Sequence, residues 1–191
     1  MKLRFTQDGL ATIDWGNGSI QSSSVHESAK TLGQLRGIFR DLTAFEAMDP
    51  NLVIYRVQWI SPAEVGTEGG LLFGNTAIEP GRVGDEYFMT HGHFHEKPSR
   101  GEFYATVSGR GILLLMDRDG HCSAEQMLPG SIHYVGANLA HRTVNIGDTV
   151  LRFVACWPSD AGHDYATIAQ LGFSMRVVCR NSSPALIDSR D

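Results

Sequence analysis

Short runs in which apolar and polar residues alternate dominate the chain, and turn-forming residues separate them. Alternation with a period of two turns one face of a strand towards a core. The pattern predicts strands over 10–15, 52–60, 70–78, 84–90, 92–95, 102–108, 111–116, 123–128, 131–135, 142–145, 150–156 and 174–179. Pro80-Gly81, Ser108-Gly109, Asp119-Gly120, Pro129-Gly130 and Ile146-Gly147-Asp148 supply turns between them. Two stretches follow helical spacing instead. Leu32, Leu35 and Phe39 share one helical face within 29–39, and Asp164 is placed to cap a helix over 165–171 that Gly172 closes. Residues 181–191 are polar and are expected to be loose. Many short strands with regular turns imply an all-β sandwich or barrel, and closing the barrel also removes exposed strand edges.

Composition narrows this picture. A length of 191 residues suits one domain with additions. The expected organisation is an N-terminal arm over 1–50, with short strands and a helix packed on the barrel, then the barrel over 51–180 and the tail over 181–191. A net charge of −5 without any basic block argues against nucleic acid or an anionic membrane as the main partner. No apolar run approaches the roughly 18 residues of a membrane span. Met1 to Thr6 carries charge with no apolar run behind it, so no secretory leader is expected and a cytoplasmic location is. Cys122, Cys156 and Cys179 are odd in number and widely spaced, which fits free thiols in a reducing compartment.

The candidate chemistry lies in His91-Gly92-His93-Phe94-His95, which Pro98 and Gly101 separate from Glu102-Phe103-Tyr104. Residues two apart on a strand point the same way, so His93 and His95 share a face that His91 could join. The chain should turn back near Pro98 and bring Glu102 beside the histidines, with Tyr104 and Thr106 on its face. His141, at the start of a strand after the Pro129-Gly130 turn, supplies a further ligand. Imidazoles and a carboxylate suit Fe²⁺, Mn²⁺, Ni²⁺ or Zn²⁺, and protein ligands alone leave positions open for substrate. If His141 points inwards, Arg142 should point away. His26, His91, His121 and His133 are read as structural or exposed, and Lys97, Arg100 and Arg142 as solvated or paired.

These residues resemble the cupin superfamily. Its first motif is matched by His93, His95, Glu102 and Gly109, and its second by Gly130, Gly136, His141 and Asn145. The gap from His95 to Glu102 is longer than the usual cupin gap, and Gly136 replaces a proline. The longer gap, the run from Thr90 to His95 with Glu102 and Tyr104, the run from Ala140 to Asp148 and the run from Pro158 to Tyr165 look like the cupin-type glucose-6-phosphate isomerases, known chiefly from archaea. The likeness runs from about Asn51 to Val178, with the first fifty residues matching loosely.

The resemblance implies a cupin, jelly-roll-like β-barrel, one divalent metal ion per subunit (Fe²⁺ foremost) on His93, His95, Glu102 and His141, and a homodimer. It further implies a phosphorylated sugar whose phosphate is held by Thr76, Thr90, the Gly92 amide and Tyr165, with Tyr104 and His163 lining the sugar. Trp157 stands where the family often has tyrosine. The implied activity is interconversion of glucose 6-phosphate and fructose 6-phosphate, with Glu102 as the base and Tyr104 or His163 moving hydroxyl protons. Taken one at a time, these residues have plainer readings: Thr76 and Thr90 suit strands, Gly92 suits a bulge, Tyr165 suits packing at a helix start. A dioxygenase using three histidines and a glutamate, and a non-catalytic module that binds sugar phosphate, are the alternatives. A phosphate clamp discriminates against the first, and metal-dependent turnover against the second.

Overall fold

The computed structural model describes residues 9–190. Residues 1–6, on which the leader expectation rests, and Asp191 of the tail lie outside them. In chain order the strands are β1 (Thr12–Ile13), β2 (Ile20–Gln21), β3 (His26–Thr31), β4 (Val53–Ile60), β5 (Leu71–Ile78), β6 (Arg82–Val83), β7 (Glu86–Tyr87) and β8 (Glu102–Ser108). They continue as β9 (Gly111–Met116), β10 (Cys122–Met127), β11 (Ile132–Val135), β12 (Ala140–Asn145), β13 (Leu151–Pro158), β14 (Met175–Arg180) and β15 (Ser183–Asp188). Two short helices accompany them, α1 (Leu42–Glu46) and α2 (Tyr165–Leu171).

A six-stranded sheet in the order β11-β8-β13-β5-β4-β3 forms one wall of the barrel, and β10-β9-β12 forms the other. Residues 88–94 extend the smaller sheet, through the bridges Met89↔Val144 and His93↔His141. A core runs between the walls, with Tyr104 and Phe153 from the first and Leu113 and Leu115 from the second; Met89 and Val144 are buried on the other face of the smaller sheet. Alternation works as the sequence pattern requires: along β8, Glu102, Tyr104 and Thr106 are buried while Phe103 between them is exposed. Strand β12 is different, because all six of its residues are buried. Phe173 and Ser174, in the connection after α2, cover its sheet from outside: Phe173 stacks under Arg142, and the Ser174 amide meets the Met116 sulfur.

Two turns hold the barrel's shape. Gly109 has φ +85°, and a Cβ there would stand 2.7 Å from the Leu151 Cα, so a left-handed turn must approach β13 without a side chain. Asn145 donates through Nδ2 to the carbonyls of Ile78 and Thr149 and accepts from the Gly147 amide, which ties the end of β5 and the turn into β13 to the end of β12.

Most predicted strands occur, those over 102–108 and 111–116 with their predicted bounds, whereas of 84–90 only Glu86–Tyr87 and of 10–15 only Thr12–Ile13 is strand. Helix α2 occupies Tyr165–Leu171, with Asp164 accepting from the Thr167 amide and Gly172 at φ 67°. Departures concentrate at the ends of the chain. Within 29–39 only Leu32–Leu35 is helical, as a 3-10 helix, and residues up to Thr31 belong to β3. The apolar spacing there came from Leu32 and Leu35 sealing the core beneath β3 and β4, not from a longer helix. The stretch expected to be loose is also strand: Ser183–Asp188 pairs antiparallel with β14, because the Asn181-Ser182 turn adopts positive φ and folds it back. Residues 92–95 pair only through single bridges.

Candidate active site

The longer gap between His95 and Glu102 is a braced loop. Lys97 and Arg100 both bind Asp160, whose side chain is 1% exposed: Lys97 Nζ lies 2.7 Å from Oδ2, and Arg100 grips Oδ1 at 3.0 Å and Oδ2 at 2.7 Å. The Lys97 amide also donates to the Ala161 carbonyl at 3.0 Å. The two cations hold the Asp160 carboxyl well below the usual carboxylate range. So braced, Arg100 presents its carbonyl 2.8 Å from His95 Nδ1. A carbonyl only accepts, so Nδ1 carries the proton and the Nε2 lone pair is left free to ligate.

The nitrogens of His93, His95 and His141 lie within 4.8 Å of one another. Glu102 joins them from β8, with Oε1 2.8 Å from His141 Nε2 and 3.7 Å from His95 Nε2. Among the described residues neither ring nitrogen of the buried His141 has a hydrogen-bond partner, although its Nε2 is so close to a carboxylate. Two lone-pair donors aimed past each other at a common point are satisfied by a cation, and the set of three imidazoles and one carboxylate fits a divalent metal of the first transition row. Electrostatics agree. Burial, with His141 and His163 nearby, lowers the His93 pKa and keeps it a neutral ligand. Burial alone would raise the Glu102 pKa, but His141 and His95 overcome it and hold the carboxyl ionised, well below its ordinary value. The Tyr104 hydroxyl donates to Glu102 Oε1 at 2.9 Å, and burial and that carboxylate push its own pKa well above the ordinary value.

A cavity of about 130 Å³ opens beside this cluster. Thr76, Thr90, Gly92, Tyr104, His163 and Tyr165 all line it, together with His93 and Glu102. Thr90 Oγ1 accepts from the Thr143 amide at 3.0 Å, which leaves its proton free to donate into the cavity. His163 and Tyr165 stack at 5.6 Å between ring centroids, and His163 lies 4.4 Å from the His93 ring. Trp157 forms part of the wall, as do Tyr55 and His91, which sequence reasoning left out. A second cavity of about 350 Å³ shares Tyr55, Val57, Trp157, His163 and Tyr165 with it and is lined also by Lys30 and Trp59. His91 meets the Tyr165 ring edge-on at 4.7 Å, and its period-two alignment with His93 was the available signal. For Tyr55 the signal was weaker, an aromatic on the inner face of β4. The remaining histidines sit elsewhere: His133 bonds Glu125 and Ser131, His121 pairs with Asp117, and His26 stacks on Trp59. Arg142 points away from the ligands, as alternation requires.

A β-barrel whose inner faces bring two alternate histidines, a glutamate and a later histidine to one point has the architecture of a cupin, with a cluster that could hold a metal. The family model described as Glucose-6-phosphate isomerase (GPI) matches residues 29–186, so the chain belongs to that family. It is 41% identical over 181 residues to the glucose-6-phosphate isomerase of Thermococcus litoralis, covering 93% of this chain and 92% of that protein. The enzyme of that name from Pyrococcus furiosus is 40% identical, covering 93% of both. The match reaches back to β3, further than the loose likeness of the first fifty residues had implied. Among solved structures, Bacillus subtilis oxalate decarboxylase superimposes with a TM-score of 0.44 and 22% identity, over 57% of this chain and 27% of that one.

Proposed function

We propose that the protein interconverts glucose 6-phosphate and fructose 6-phosphate, with a divalent metal ion on His93, His95, Glu102 and His141. One observation carries the reading: His93 and Glu102 of the proposed ligand cluster line the same cavity as Thr76, Thr90, Gly92 and Tyr165, whose donors suit a phosphate. Fe²⁺ is the ion of choice, and Mn²⁺, Ni²⁺ or Zn²⁺ also suit the donors. When bound, such an ion supplies an electrophile that stabilises negative charge developing on the substrate's oxygens.

The chain's own residues do the rest. Thr76, Thr90, the Gly92 amide and Tyr165 hold the phosphate and so place C1 and C2 of the opened sugar beside Glu102. Glu102 takes the proton from C2 and returns it to C1 through a cis-enediol. Tyr104 and His163 move the hydroxyl protons, so the C1 carbonyl becomes a hydroxyl and the C2 hydroxyl a carbonyl with no net redox change. Val57, Phe153 and Ala155 keep the cavity wall apolar and exclude water. Glu102 is a poor base while it accepts from Tyr104 and faces two imidazoles, so the substrate must draw it away from them.

A coupled assay for fructose 6-phosphate conversion before and after chelation tests the activity and its metal dependence. Oxygen uptake without isomerisation would support a dioxygenase instead, and ligand-induced stabilisation without turnover would support a binding module. Turnover in D₂O tests the route: deuterium at carbon supports the enediol, and its complete absence supports a hydride shift. The protein is further proposed to be a cytoplasmic homodimer. Phe103, Ile132 and Tyr134 are exposed by 55%, 72% and 54% on β8 and the edge strand β11, an apolar edge suited to a second copy. Light scattering at two protein concentrations measures this directly.

A further inference from the structure

The inner cavity has an electrostatic problem for a phosphate reading: no lysine or arginine stands in its wall among the described residues. Lys30 lines the neighbouring outer cavity, and Arg142 lies behind the wall of the inner one. Arg142 is 5% exposed, its guanidinium stacks 4.3 Å from the Phe173 ring centroid, and no carboxylate pairs with it among the described residues. Its two donors converge on one acceptor, the His91 carbonyl, from Nη2 at 2.7 Å and Nε at 3.2 Å.

That carbonyl belongs to the peptide unit joining His91 to Gly92. No peptide bond is cis, so the carbonyl and the Gly92 N–H point in opposite directions across one plane. Arg142 pulls the carbonyl away from the cavity and thereby turns the Gly92 N–H towards it. Gly92 is buried and lines the cavity, yet its amide donates to no group among the described residues. The loop cannot easily relax. Gly92 sits at φ +75°, and a Cβ there would stand 2.8 Å from the Phe173 ring and 3.1 Å from the Arg142 side chain. The next carbonyl, of Gly92, is held by His91 Nδ1 at 3.0 Å, and the His93 amide by the His141 carbonyl.

We propose that Arg142 is a positioning residue that aims and polarises the Gly92 amide as the principal donor to the substrate's phosphoryl group. A cation on the carbonyl end of a peptide unit withdraws charge and strengthens donation from its N–H end. The cation acts through the backbone, so the phosphate is held without meeting a charged side chain that would also attract stray anions into the site. The inference rests on the phosphate reading above and adds a residue that touches neither substrate nor metal.

The test uses zinc-loaded, ¹⁵N-labelled protein and inorganic phosphate as probe, with metal content measured in each variant. In the parent protein, phosphate should shift the Gly92 amide resonance. Arg142→Met should bind phosphate about tenfold more weakly, with the free Gly92 amide shifted towards weaker polarisation. For sugar phosphate, KM should rise by a larger factor than kcat falls. Arg142→Lys keeps the charge but not the two-pronged grip, and should weaken phosphate binding by about threefold, an intermediate effect. A folded, metal-loaded Arg142→Met with phosphate affinity within about twofold of the parent overturns the role and leaves the isomerase reading intact. If Arg142→Met does not fold, Arg142→Lys decides: unchanged phosphate affinity and an unchanged Gly92 resonance overturn the proposal. A parent protein that neither binds phosphate nor shifts Gly92 removes the phosphate pocket itself, and this inference with it.

Discussion

Asp160 lies outside the cavity, and replacing it should loosen the metal. The Asp160→Asn substitution keeps size and shape but removes the charge that Lys97 and Arg100 share. An amide offers one acceptor in place of two, so Arg100 loses its two-pronged grip. The effect then passes mechanically along the loop. Arg100 is no longer braced from its side chain, its carbonyl gains freedom, and the 2.8 Å bond that orients His95 Nδ1 weakens. Removing the group that orients a metal-bound histidine lowers metal affinity by about 10–100-fold. Asp160 acts one step further out, and the Lys97 amide bond to Ala161 survives, so about tenfold is expected, the low end of that range. The assay is competition against a chelator of known affinity, with the melting temperature of metal-free protein as a control on folding. A metal-free variant that melts lower but holds zinc with the parent's affinity would refute the chain of transmission from Asp160 to His95. The pH dependence gives a second check. The folded carboxyl is held below its unfolded value of about 3.9. Its stabilisation is therefore complete above the unfolded pKa and is lost as pH falls through the folded one. The melting difference between parent and variant should be constant from pH 7 to about 5 and shrink in more acid solution.

Three other substitutions probe the cavity and the barrel. Tyr104→Phe removes the hydroxyl bonded to Glu102 and should lower kcat by about 10² or more with metal content unchanged; a kcat within a few-fold of the parent would take Tyr104 out of proton transfer. Thr90→Val removes a hydroxyl whose proton is free, and also the acceptor of the Thr143 amide; KM for the sugar phosphate should rise more than kcat falls, and an unchanged KM would argue against a phosphate contact there. Gly109→Ala forces a side chain into left-handed backbone against β13 and should cost about 1–2 kcal/mol, read as a drop of several degrees in melting temperature; an unchanged melting temperature would mean the turn can be rebuilt.

Local pattern in the sequence reaches some of these residues and not others. The clustering of these histidines with Glu102 was legible because strand alternation is a hard constraint: His93 and His95 must share a face, and Glu102 must share one with Tyr104. Helix α2 was legible because Asp164 and Gly172 are strong punctuation for a short apolar run. What escaped depends on contacts distant in sequence. β3 reads locally as the start of a helix, and only pairing with β4 makes it a strand. Residues 181–191 are polar at both ends and adjoin the chain's end, yet Ala185, Leu186 and Ile187 lie between, and β14 offers Ser183–Asp188 a free edge. Tyr55 and Lys30 reach the cavities from β4 and β3, strands whose alignment with β5 no short-range pattern encodes.

Strand β12 shows why both ends of the site had to be found together. His141 and Thr143 lie on its inner face, where one faces the metal cluster and the other, through its amide, holds the Thr90 hydroxyl. Arg142 lies between them in sequence and on the opposite face, where it grips the His91 carbonyl behind the same cavity. A slip of one residue in the pairing with β9 would exchange the two sets, putting a guanidinium among the ligands and an imidazole against Phe173. Burial on both faces excludes that slip, since each face accepts only its own side chains. The same six residues therefore set the distance between the metal and the phosphate loop. Substitutions that shift β12 should disturb metal binding and phosphate binding in step, whereas those in the 96–101 loop should disturb the metal alone.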